Sequence, residues 1–582
     1  MAFAALTVLA LYGLALALTG FLAHRHLRDA QAAVGLLRTG LAEQDTPRAE
    51  IDRHLRTVQA EARAAHDLTG GPLWDLPARL PWAGRPFETV QGVAAGVDTV
   101  ADEVLPPVRS VRDRLVGVDL SRGEGGLDLA PLALAQTPLA QARTANDRAL
   151  RDVSDLPSTG IAPIDEGRRD LVVQLDAVSR QLRSAHEAVE LLPPMLGAEG
   201  PRRYFVAFQN NAEARGAGGL PGVFAVLRAD RGKVSFEQYG VSGDFGGLEV
   251  PLTGLSPGYA EHYREAGPGK FFGNTTVSPH FPDGAELMLR FWKAKTGQQL
   301  DGALAIDPNA LAMMLEVTGP TTMADGTVLK ASSVVALTEK DAYQRFTDPV
   351  VRKQYLITVA KAIADDVLER GPAKGTALAS AVGRGVAERR ILLYSTHAAE
   401  QRVIAARPVG GALSDTAGLF SGVVINNGGG NKLDYYLDRQ VTYQGPTCGA
   451  TDPRATVTIR LTNRAPKSGL TNYVAGRADL PVDPVPQGTN RLLVGYYATK
   501  EAGFSDATLD GEPTVLAVDD ERGRPVFTAA FELKPGQTRT LVIRIEEPPE
   551  AKGPVTTLVQ PLVLPQRTTI EVPDCRRGQE NG

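Results

Sequence analysis

The sequence predicts a multidomain α+β protein: an N-terminal transmembrane helix, a helical stalk or bundle, a central α/β domain and a C-terminal immunoglobulin-like β-sandwich. Residues 1–23 contain no charged side chain, and residues 24–195 show the 3.6-residue period of amphipathic helices. Residues 435–575 form short alternating apolar runs separated by Gly, Pro and Asp turns, as in a sandwich. Between them, residues 202–406 alternate strands with helices, and residues 407–434 are predicted to be a linker.

Composition excludes several classes of function. The 582 residues carry a net charge of −5, from 62 basic and 67 acidic side chains, and the basic residues are scattered. We therefore expect no nucleic-acid partner. The chain contains no C-x-x-C, H-E-x-x-H or Walker loop, so these common metal-site and nucleotide-binding signatures are missing.

The apolar N-terminus predicts a membrane anchor. Residues 1–23 would span about 35 Å as a helix, which is enough to cross a bilayer core. A cleaved signal peptide is the alternative, but it requires a basic start, which this segment lacks, and the A-x-A at Ala15–Ala17 lies inside the apolar run. We expect a single-pass protein of the cell membrane with its bulk extracytoplasmic, although Arg25 and Arg28 after the span favour the cytoplasm under the positive-inside rule.

The chain is organised around a polar segment between two predicted strands. Tyr204–Phe208 and Val223–Leu227 are apolar strands, and Gln209–Gly222 between them is predicted to be a glycine-rich loop. Glycine lets a backbone approach a ligand closely, and amides with a guanidinium can line a polar pocket. A solvated hairpin loop is the alternative. The candidate ligand-binding residues of this loop are Asn210, Asn211, Arg215, Gly218 and Gly219.

This segment carries a resemblance to a bacterial family. The pattern Q-N-N-A-E-x-R-x-x-G-G at Gln209–Gly219, followed by G-V-F, resembles the signature of membrane-anchored proteins that are common in actinobacteria. That family has only a domain-of-unknown-function label. The block GNKLDYYL at Gly430–Leu437 is also similar to it. The resemblance implies a cell-envelope protein but no particular activity.

A second resemblance concerns residues 202–406. The segment GQQLDGALAIDPNALAMMLEVTG and a later helix that opens with RKQ resemble the LytR-CpsA-Psr domain. Enzymes of that family transfer glycopolymers from polyprenyl-pyrophosphate carriers to the cell wall, with magnesium assisting. The resemblance implies that Arg215, Arg352 and Gln354 bind the pyrophosphate and that Asp244 is catalytic and holds Mg²⁺. The sequence departs from the family at Gly243, where an arginine is characteristic, and at the two asparagines that stand where an aspartate would help hold the metal.

The chemistry of that site follows from charge and geometry. Planar guanidinium groups match pyrophosphate oxygens in bidentate fashion, so Arg215 and Arg352 can form a clamp. Asp244 can hold Mg²⁺ or accept a proton from an attacking hydroxyl. The alternative is that Arg215 pairs with Glu213 or Asp244 in a purely structural ion pair.

The two cysteines of the chain, Cys448 and Cys575, lie at the two ends of the predicted sandwich. We expect a disulfide in an oxidising compartment, for which chain-entropy reasoning gives about 4–5 kcal/mol. Two free thiols are the alternative.

The sequence thus predicts a membrane-anchored envelope protein whose central domain binds a lipid-pyrophosphate-linked glycan, a cell-wall polymer or a similar polyanion. A glycopolymer phosphotransferase is the more specific version, and whether the protein is an enzyme stays open. A non-enzymatic surface scaffold and a receptor for a secreted ligand are the competing functions.

Overall fold

The computed structural model describes residues 2–43, 46–115, 126–371, 374–446, 453–480 and 485–572. The chain divides into two compact units. The first spans Met1–Arg122 and Gly126–Gly200, and the second begins at Pro201.

The first unit is helical. Its helices are α1 (Ala2–Ala42), α2 (Arg48–Thr69), α3 (Pro72–Ala78), α4 (Arg85–Thr99), α5 (Leu105–Leu115), α6 (Ala130–Ser154) and α7 (Ala162–Met195). Leu37 of α1 packs in one cluster with Ile51 of α2, and Leu139 of α6 packs in another with Leu182 of α7. These apolar stripes are the origin of the 3.6-residue period in residues 24–195.

The apolar N-terminus is part of a longer helix. α1 continues without interruption past the apolar segment, and its side chains have partners in the same unit. The Tyr12 hydroxyl donates to the carbonyl of Leu73 at 2.6 Å, and the Trp74 indole donates to Thr19 Oγ1 at 3.0 Å. In the part of the chain that the structure describes, no helix combines the length and apolar character needed to cross a bilayer. The predicted transmembrane helix over residues 1–23 is therefore wrong, and so is the single-pass membrane location that rested on it.

The second unit opens with an α/β domain. Its five-stranded sheet consists, in spatial order, of β3 (Lys233–Val241), β2 (Gly218–Asp230), β1 (Arg202–Arg215), β4 (Gly302–Ile306) and β7 (Ile391–Ser395). β1 and β4 are parallel, and the other neighbours are antiparallel. A small ribbon pairs β5 (Thr321–Thr322) with β6 (Val328–Leu329). The helices are α8 (Tyr259–His262), α9 (Phe281–Thr296), α10 (Pro308–Thr318), α11 (Ala331–Ala336), α12 (Ala342–Arg345), α13 (Pro349–Arg370), α14 (Gly375–Ala387) and α15 (Ala398–Ala405).

Both faces of this sheet are covered. Successive residues of a strand point to opposite faces, and β1 follows this rule. Phe205 joins an aromatic cluster with Phe224 of β2 and Trp292 of α9 on one face. Val206 packs on the other face in a cluster that includes Val359 of α13. The domain therefore has three layers, which agrees with the predicted mixture of strands and helices.

The remaining strands form two further sheets. One sheet contains, in order, β14 (Ala517–Glu521), β15 (Arg524–Leu533), β11 (Asn490–Tyr497), β8 (Phe420–Asn427) and β17 (Thr556–Val559). The other contains β13 (Glu512–Pro513), β12 (Gly503–Leu509), β16 (Thr538–Glu546), β10 (Arg454–Asn463), β9 (Leu437–Gln444) and β18 (Gln566–Glu571). A short helix, α16 (Asn472–Ala475), lies between β10 and β11 in the sequence.

The two sheets share one core and form a sandwich. Ile425 and Val494 of the first sheet pack in the same cluster as Ile459 and Ile543 of the second. Two parallel pairs, β8 with β17 and β9 with β18, distinguish it from the antiparallel sheets of an immunoglobulin domain. The predicted linker, residues 407–434, contains β8, an interior strand of the sandwich, because its Val-Val-Ile run packs into the core. The predicted disulfide partners Cys448 and Cys575 lie outside the described residues.

A buried ion pair connects β4 to β7 across the end of the sheet. Asp307 follows β4 and caps α10 by accepting from Ala310 N at 2.8 Å, and Arg390 donates to its other oxygen at 2.7 Å. We predict that Asp307→Asn lowers the free energy of unfolding by about 3 kcal/mol, because it leaves a buried guanidinium without its main counter-charge. Denaturant unfolding measures this loss.

The matched control is the exposed pair Glu316–Arg384, which joins α10 to α14 at 2.9 Å. Glu316→Gln should change the unfolding free energy by less than about 1 kcal/mol. Equal effects of the two substitutions would show that burial does not determine the contribution of Asp307.

Candidate functional site

The polar segment that was predicted to be a loop is the second half of β1. The strand continues past Phe208 to Arg215, β2 begins at Gly218, and only Gly216 and Ala217 form the turn. Two register shifts relative to β2 bend this half-strand. All of its polar side chains are buried: Gln209, Asn210, Asn211, Glu213 and Arg215.

The glycines of this hairpin allow backbones to pack closely. A Cβ on Gly216 would lie 2.1 Å from the carbonyl oxygen of Val277, and one on Gly219 would lie 2.3 Å from that of Asn210. Gly218 has φ +133°, a conformation that favours glycine. The glycine backbone is thus packed against protein, whereas the sequence predicted a loop open to an anion.

The charges of the half-strand neutralise one another. Arg215 donates to Glu213 at 3.1 Å and to Asn274 Oδ1 at 2.9 Å, and the ammonium of Lys432 contacts the other oxygen of Glu213. Burial opposes ionisation of Glu213, but Lys432 and Arg215 outweigh it and hold the pKa of this carboxyl below its usual range. Arg215 thus forms the ion pair with Glu213 that was the alternative to pyrophosphate binding.

The same half-strand enters the sandwich. The backbone N–H of Ala214 donates to Asp434 at 2.8 Å, and the amides of Asn427 and Asn490 donate to the same carboxylate at 2.7 Å each. Ala214 itself belongs to the sandwich core. The two sequence blocks that resemble a known family, Gln209–Gly219 and Gly430–Leu437, therefore meet in one buried network.

A cleft of about 120 Å³ opens between the sheet and helices α10 and α13. It lies beside the Gln209–Asn210 part of β1. Its apolar lining comes from the sheet and from helices α10 and α13: Phe208, Leu220, Val223, Ile306, Leu311, Leu356, Val359 and Ala360. Its charged lining consists of Arg352, Lys353, Lys432 and Glu339.

Arg352 and Lys353 bring positive charge to this cleft from the first turns of α13. The Arg352 side chain is 2 % exposed, with its guanidinium 3.9 Å from the ring centre of Tyr473 and 5.3 Å from that of Tyr343. It donates to the carbonyl of Phe346 at 2.9 Å. Within the described ranges, neither Arg352 nor Lys353 has a carboxylate within 4.0 Å. Their charges are therefore not compensated by an ion pair.

Glu339 is the acidic residue of the cleft. It lies on a π-helical turn, Leu337–Asp341, and accepts from the backbone N–H groups of Asn211 at 3.1 Å and Ala212 at 2.9 Å. Burial raises the pKa of its carboxyl to about 8, against the opposing effect of these two hydrogen bonds. The carboxyl is then largely protonated at neutral pH, which leaves the cleft positive.

The structure brings only some of the predicted site residues together. Asn210 and Arg352 border the cleft. Gln354 is exposed on α13, and Asp244 is exposed and caps the turn Ser242–Phe245 by accepting from Val241 N at 2.9 Å. The predicted ligand-binding residues that do not border the cleft are Asn211, Arg215, Gly218, Gly219 and Gln354.

The proposed magnesium site at Asp244 gains no further ligands from the structure. Among the described residues, no three His, Cys, Asp or Glu side chains group together as a metal site would require. Asp244 also does not border the cleft. Its catalytic role remains a prediction from resemblance.

Sequence reasoning missed several residues of the cleft. Lys353 stands inside the RKQ segment and was detectable as a second cation beside Arg352. Glu339, Tyr343 and Tyr473 had no such signal, because they come from distant segments with unremarkable local patterns. Lys432 lies in the GNKLDYYL block, which carried only a resemblance to a family. Only the folded chain places them together.

Comparison with known proteins gives one match. Residues 199–343 match a family described as "Protein of unknown function (DUF4012)", so the chain carries a DUF4012 domain over about a quarter of its length. This agrees with the predicted domain-of-unknown-function family, while the resemblance to LytR-CpsA-Psr proteins is not shown. No curated protein and no solved structure matches the chain.

The carboxyl of Glu339 should make stability depend on pH. Its folded pKa of about 8 lies above the usual value of 4.5, so the folded state binds the proton more tightly than the unfolded state. Relative to Glu339→Gln, the wild-type unfolding free energy should fall by about 1.4 kcal/mol per pH unit between those two pKa values. Denaturant unfolding from pH 5 to pH 9 measures this difference.

Glu237→Gln is the control, because ion-pairing with Arg203 lowers the pKa of that partly exposed carboxyl and so produces no loss in this window. If the difference in unfolding free energy between the wild type and Glu339→Gln stays constant from pH 5 to pH 9, then Glu339 ionises normally in the folded protein.

Proposed function

We propose that the cleft of the α/β domain binds an amphiphilic anion, an apolar chain that carries a phosphate or pyrophosphate group. The observation that carries this proposal is the pair of cations without carboxylate partners, Arg352 and Lys353, at an apolar cleft. Arg352 is buried and Lys353 is half-buried, so their unpaired charges are unfavourable, and an anionic ligand would compensate them.

The positions of the cations support a phosphate group as the head. The ammonium of Lys353 extends from α13 towards the end of β3, where a Cβ on Gly243 would lie 3.3 Å from it. The guanidinium of Arg352 is held by the rings of Tyr473 and Tyr343. A guanidinium and an ammonium together offer enough donors for the several oxygens of a phosphate.

The apolar lining supports a hydrophobic tail. Side chains from β1 and β2 form one wall, and Leu311, Leu356 and Val359 from α10 and α13 form the other. Burying the chain of a ligand between them would contribute roughly 25 cal/mol for each Å² of apolar surface removed from water. A free sugar or an inorganic anion would leave this lining without a partner.

A polyprenyl-pyrophosphate-linked glycan is one ligand of this class, and transfer of its glycan phosphate is the more specific form of the proposal. That form rests on the LytR-CpsA-Psr resemblance, and the positions of Arg215 and Asp244 away from the cleft do not favour it. A scaffold without a ligand is the competing function.

Calorimetric titration with farnesyl phosphate and farnesyl pyrophosphate, with and without Mg²⁺, tests the proposal. We expect saturable binding to the wild type and a loss of affinity of about tenfold or more in Lys353→Gln, because hydrogen bonds to charged groups contribute roughly 1.5–3 kcal/mol. Arg352→Lys should weaken binding through loss of the planar guanidinium.

Lys361→Gln is the matched control on the same helix, because Lys361 is exposed and pairs with Asp365 on the surface. It should bind like the wild type, and farnesol should bind more weakly than farnesyl phosphate. A folded wild type that binds neither phosphate would contradict the proposal and favour the scaffold.

A further inference from the structure

Glu339 holds a carboxyl in the cleft at a fixed position. The residue is 1 % exposed, and it borders the cleft together with Arg352 and Lys353. One of its oxygens accepts from the backbone N–H of Asn211, and the other accepts from that of Ala212. Because both oxygens are bonded to β1, the side chain cannot turn away from the cleft without breaking two buried hydrogen bonds.

The carboxyl of Glu339 has no cation to neutralise it. Among the described residues, no Lys, Arg or His nitrogen lies within 4.0 Å of it. Lys432, which also borders the cleft, pairs with Glu213 instead. The charge of Asp307 further opposes ionisation of Glu339. An ionised Glu339 is therefore an unpaired negative charge in the cleft that is proposed to bind an anion.

A bound anion makes this charge still less favourable. Two like charges disfavour ionisation of each other, and the effect is strongest where water is excluded. Since the carboxyl is held in place, it removes the repulsion by taking a proton from the solvent. Burial already raises the pKa of Glu339 to about 8, so the carboxyl exchanges this proton close to neutral pH.

We propose, on the basis of the proposed function, that the cleft binds its anion together with one proton, which the carboxylate of Glu339 takes up. Arg352 and Lys353 then compensate the anion without opposition from Glu339. Linkage makes the effect reciprocal: the bound anion raises the pKa of Glu339, and the affinity for the anion falls as the pH rises above the pKa of the free protein.

The other charged and titratable groups around Glu339 do not account for such a change between pH 7 and pH 9. They lie on its own turn and on the elements packed around it: Lys340, Asp341, Glu213, Arg215, Asp307, Arg390, Tyr343, Arg352, Lys353, Lys432 and Tyr473. Cations hold the pKa of Glu213 below its usual range, and burial raises that of Tyr343 well above its own. Aspartate ordinarily titrates near pH 4, and lysine, tyrosine and arginine at about pH 10 or above.

Calorimetric titration of the full chain with farnesyl phosphate at pH 7 and pH 9 tests the inference. The phosphate loses its second proton near pH 6, so the probe is largely dianionic at both values. We expect the affinity of the wild type to be about five- to tenfold weaker at pH 9, because the carboxyl must first recover its proton. Farnesol, which carries no charge, should bind equally at both values.

The proton itself can be counted. At pH 8, titrations in Tris and in HEPES differ by the ionisation enthalpy of the buffer, and the wild type should take up about 0.4–0.5 protons for each farnesyl phosphate bound. Infrared difference spectra of the wild type should show a carboxylate band replaced by a protonated carboxyl band when the ligand is added. This second readout requires no variant.

Glu339→Gln should bind farnesyl phosphate equally well at pH 7 and pH 9 and take up no proton, because its amide stays neutral. The matched control is Asp341→Asn on the same π-helical turn, since Asp341 is partly exposed, pairs with Lys340 at 3.3 Å and does not border the cleft. Asp341→Asn should keep the pH dependence of the wild type.

The outcomes separate this inference from the proposed function. If the wild type binds farnesyl phosphate with the same affinity at pH 7 and pH 9 and takes up no proton, the inference is overturned while the proposed function stands. A folded Glu339→Gln that keeps the pH dependence, or an unchanged carboxyl band, also overturns the role of Glu339. If the folded wild type does not bind farnesyl phosphate at pH 7, both are overturned.

Discussion

The continuation of β1 past the end of β4 is the constraint on which the second unit depends. The half-strand from Gln209 to Arg215 still pairs with β2 but no longer with β4, and Ala214 lies in the core of the sandwich. Its backbone is held by Asp434 on one side and by Gln560, which donates to the carbonyl of Arg215 at 2.7 Å, on the other. A buried strand must satisfy each backbone group, and here distant side chains replace the missing neighbour on the β4 side.

A buried triad of charges also holds β1 against the sandwich. Glu213, Arg215 and Lys432 are all buried, and each would be strongly unfavourable without the others. The triad joins β1 to a segment more than two hundred residues later in the chain, so the α/β domain and the sandwich depend on each other for their buried charges. The sequence block around Lys432 is therefore a partner of β1, although the pattern suggested a linker.

The same strand forms the floor of the cleft. Gln209 and Asn210 border the cleft. The next residue, Asn211, contacts the segment that follows β17 by donating to the carbonyl of Pro561. Glu339 connects the two regions, because it borders the cleft and accepts from the backbone of Asn211 and Ala212. A ligand beside Glu339 thus acts on a residue that also holds the half-strand in place.

Local patterns predicted much of the fold but little of the site. Alternation and helical period located the apolar strands and the long helices, because those signals arise from one face of each element. The half-strand was predicted to be a loop because amides and glycines are typical of loops, and its partners near Asp434 and Glu339 are far away in the sequence. The anchor was predicted from 23 uncharged residues, but that segment is part of a longer helix whose side chains bond within the unit. Of the residues assigned by resemblance, Arg352 borders the cleft, whereas Arg215 and Asp244 do not.

Hydrogen exchange at the backbone amides of Asn211 and Ala212 tests the central claim most directly. The claim is that one strand, β1, both lines the cleft and connects the α/β domain to the sandwich. With saturating farnesyl pyrophosphate, the account predicts slower exchange at these two amides, because a ligand beside Glu339 reduces the opening of the hydrogen bonds that it accepts. Lys353→Gln should require far more ligand for the same protection. Saturable binding that leaves exchange at both amides unchanged would contradict the account.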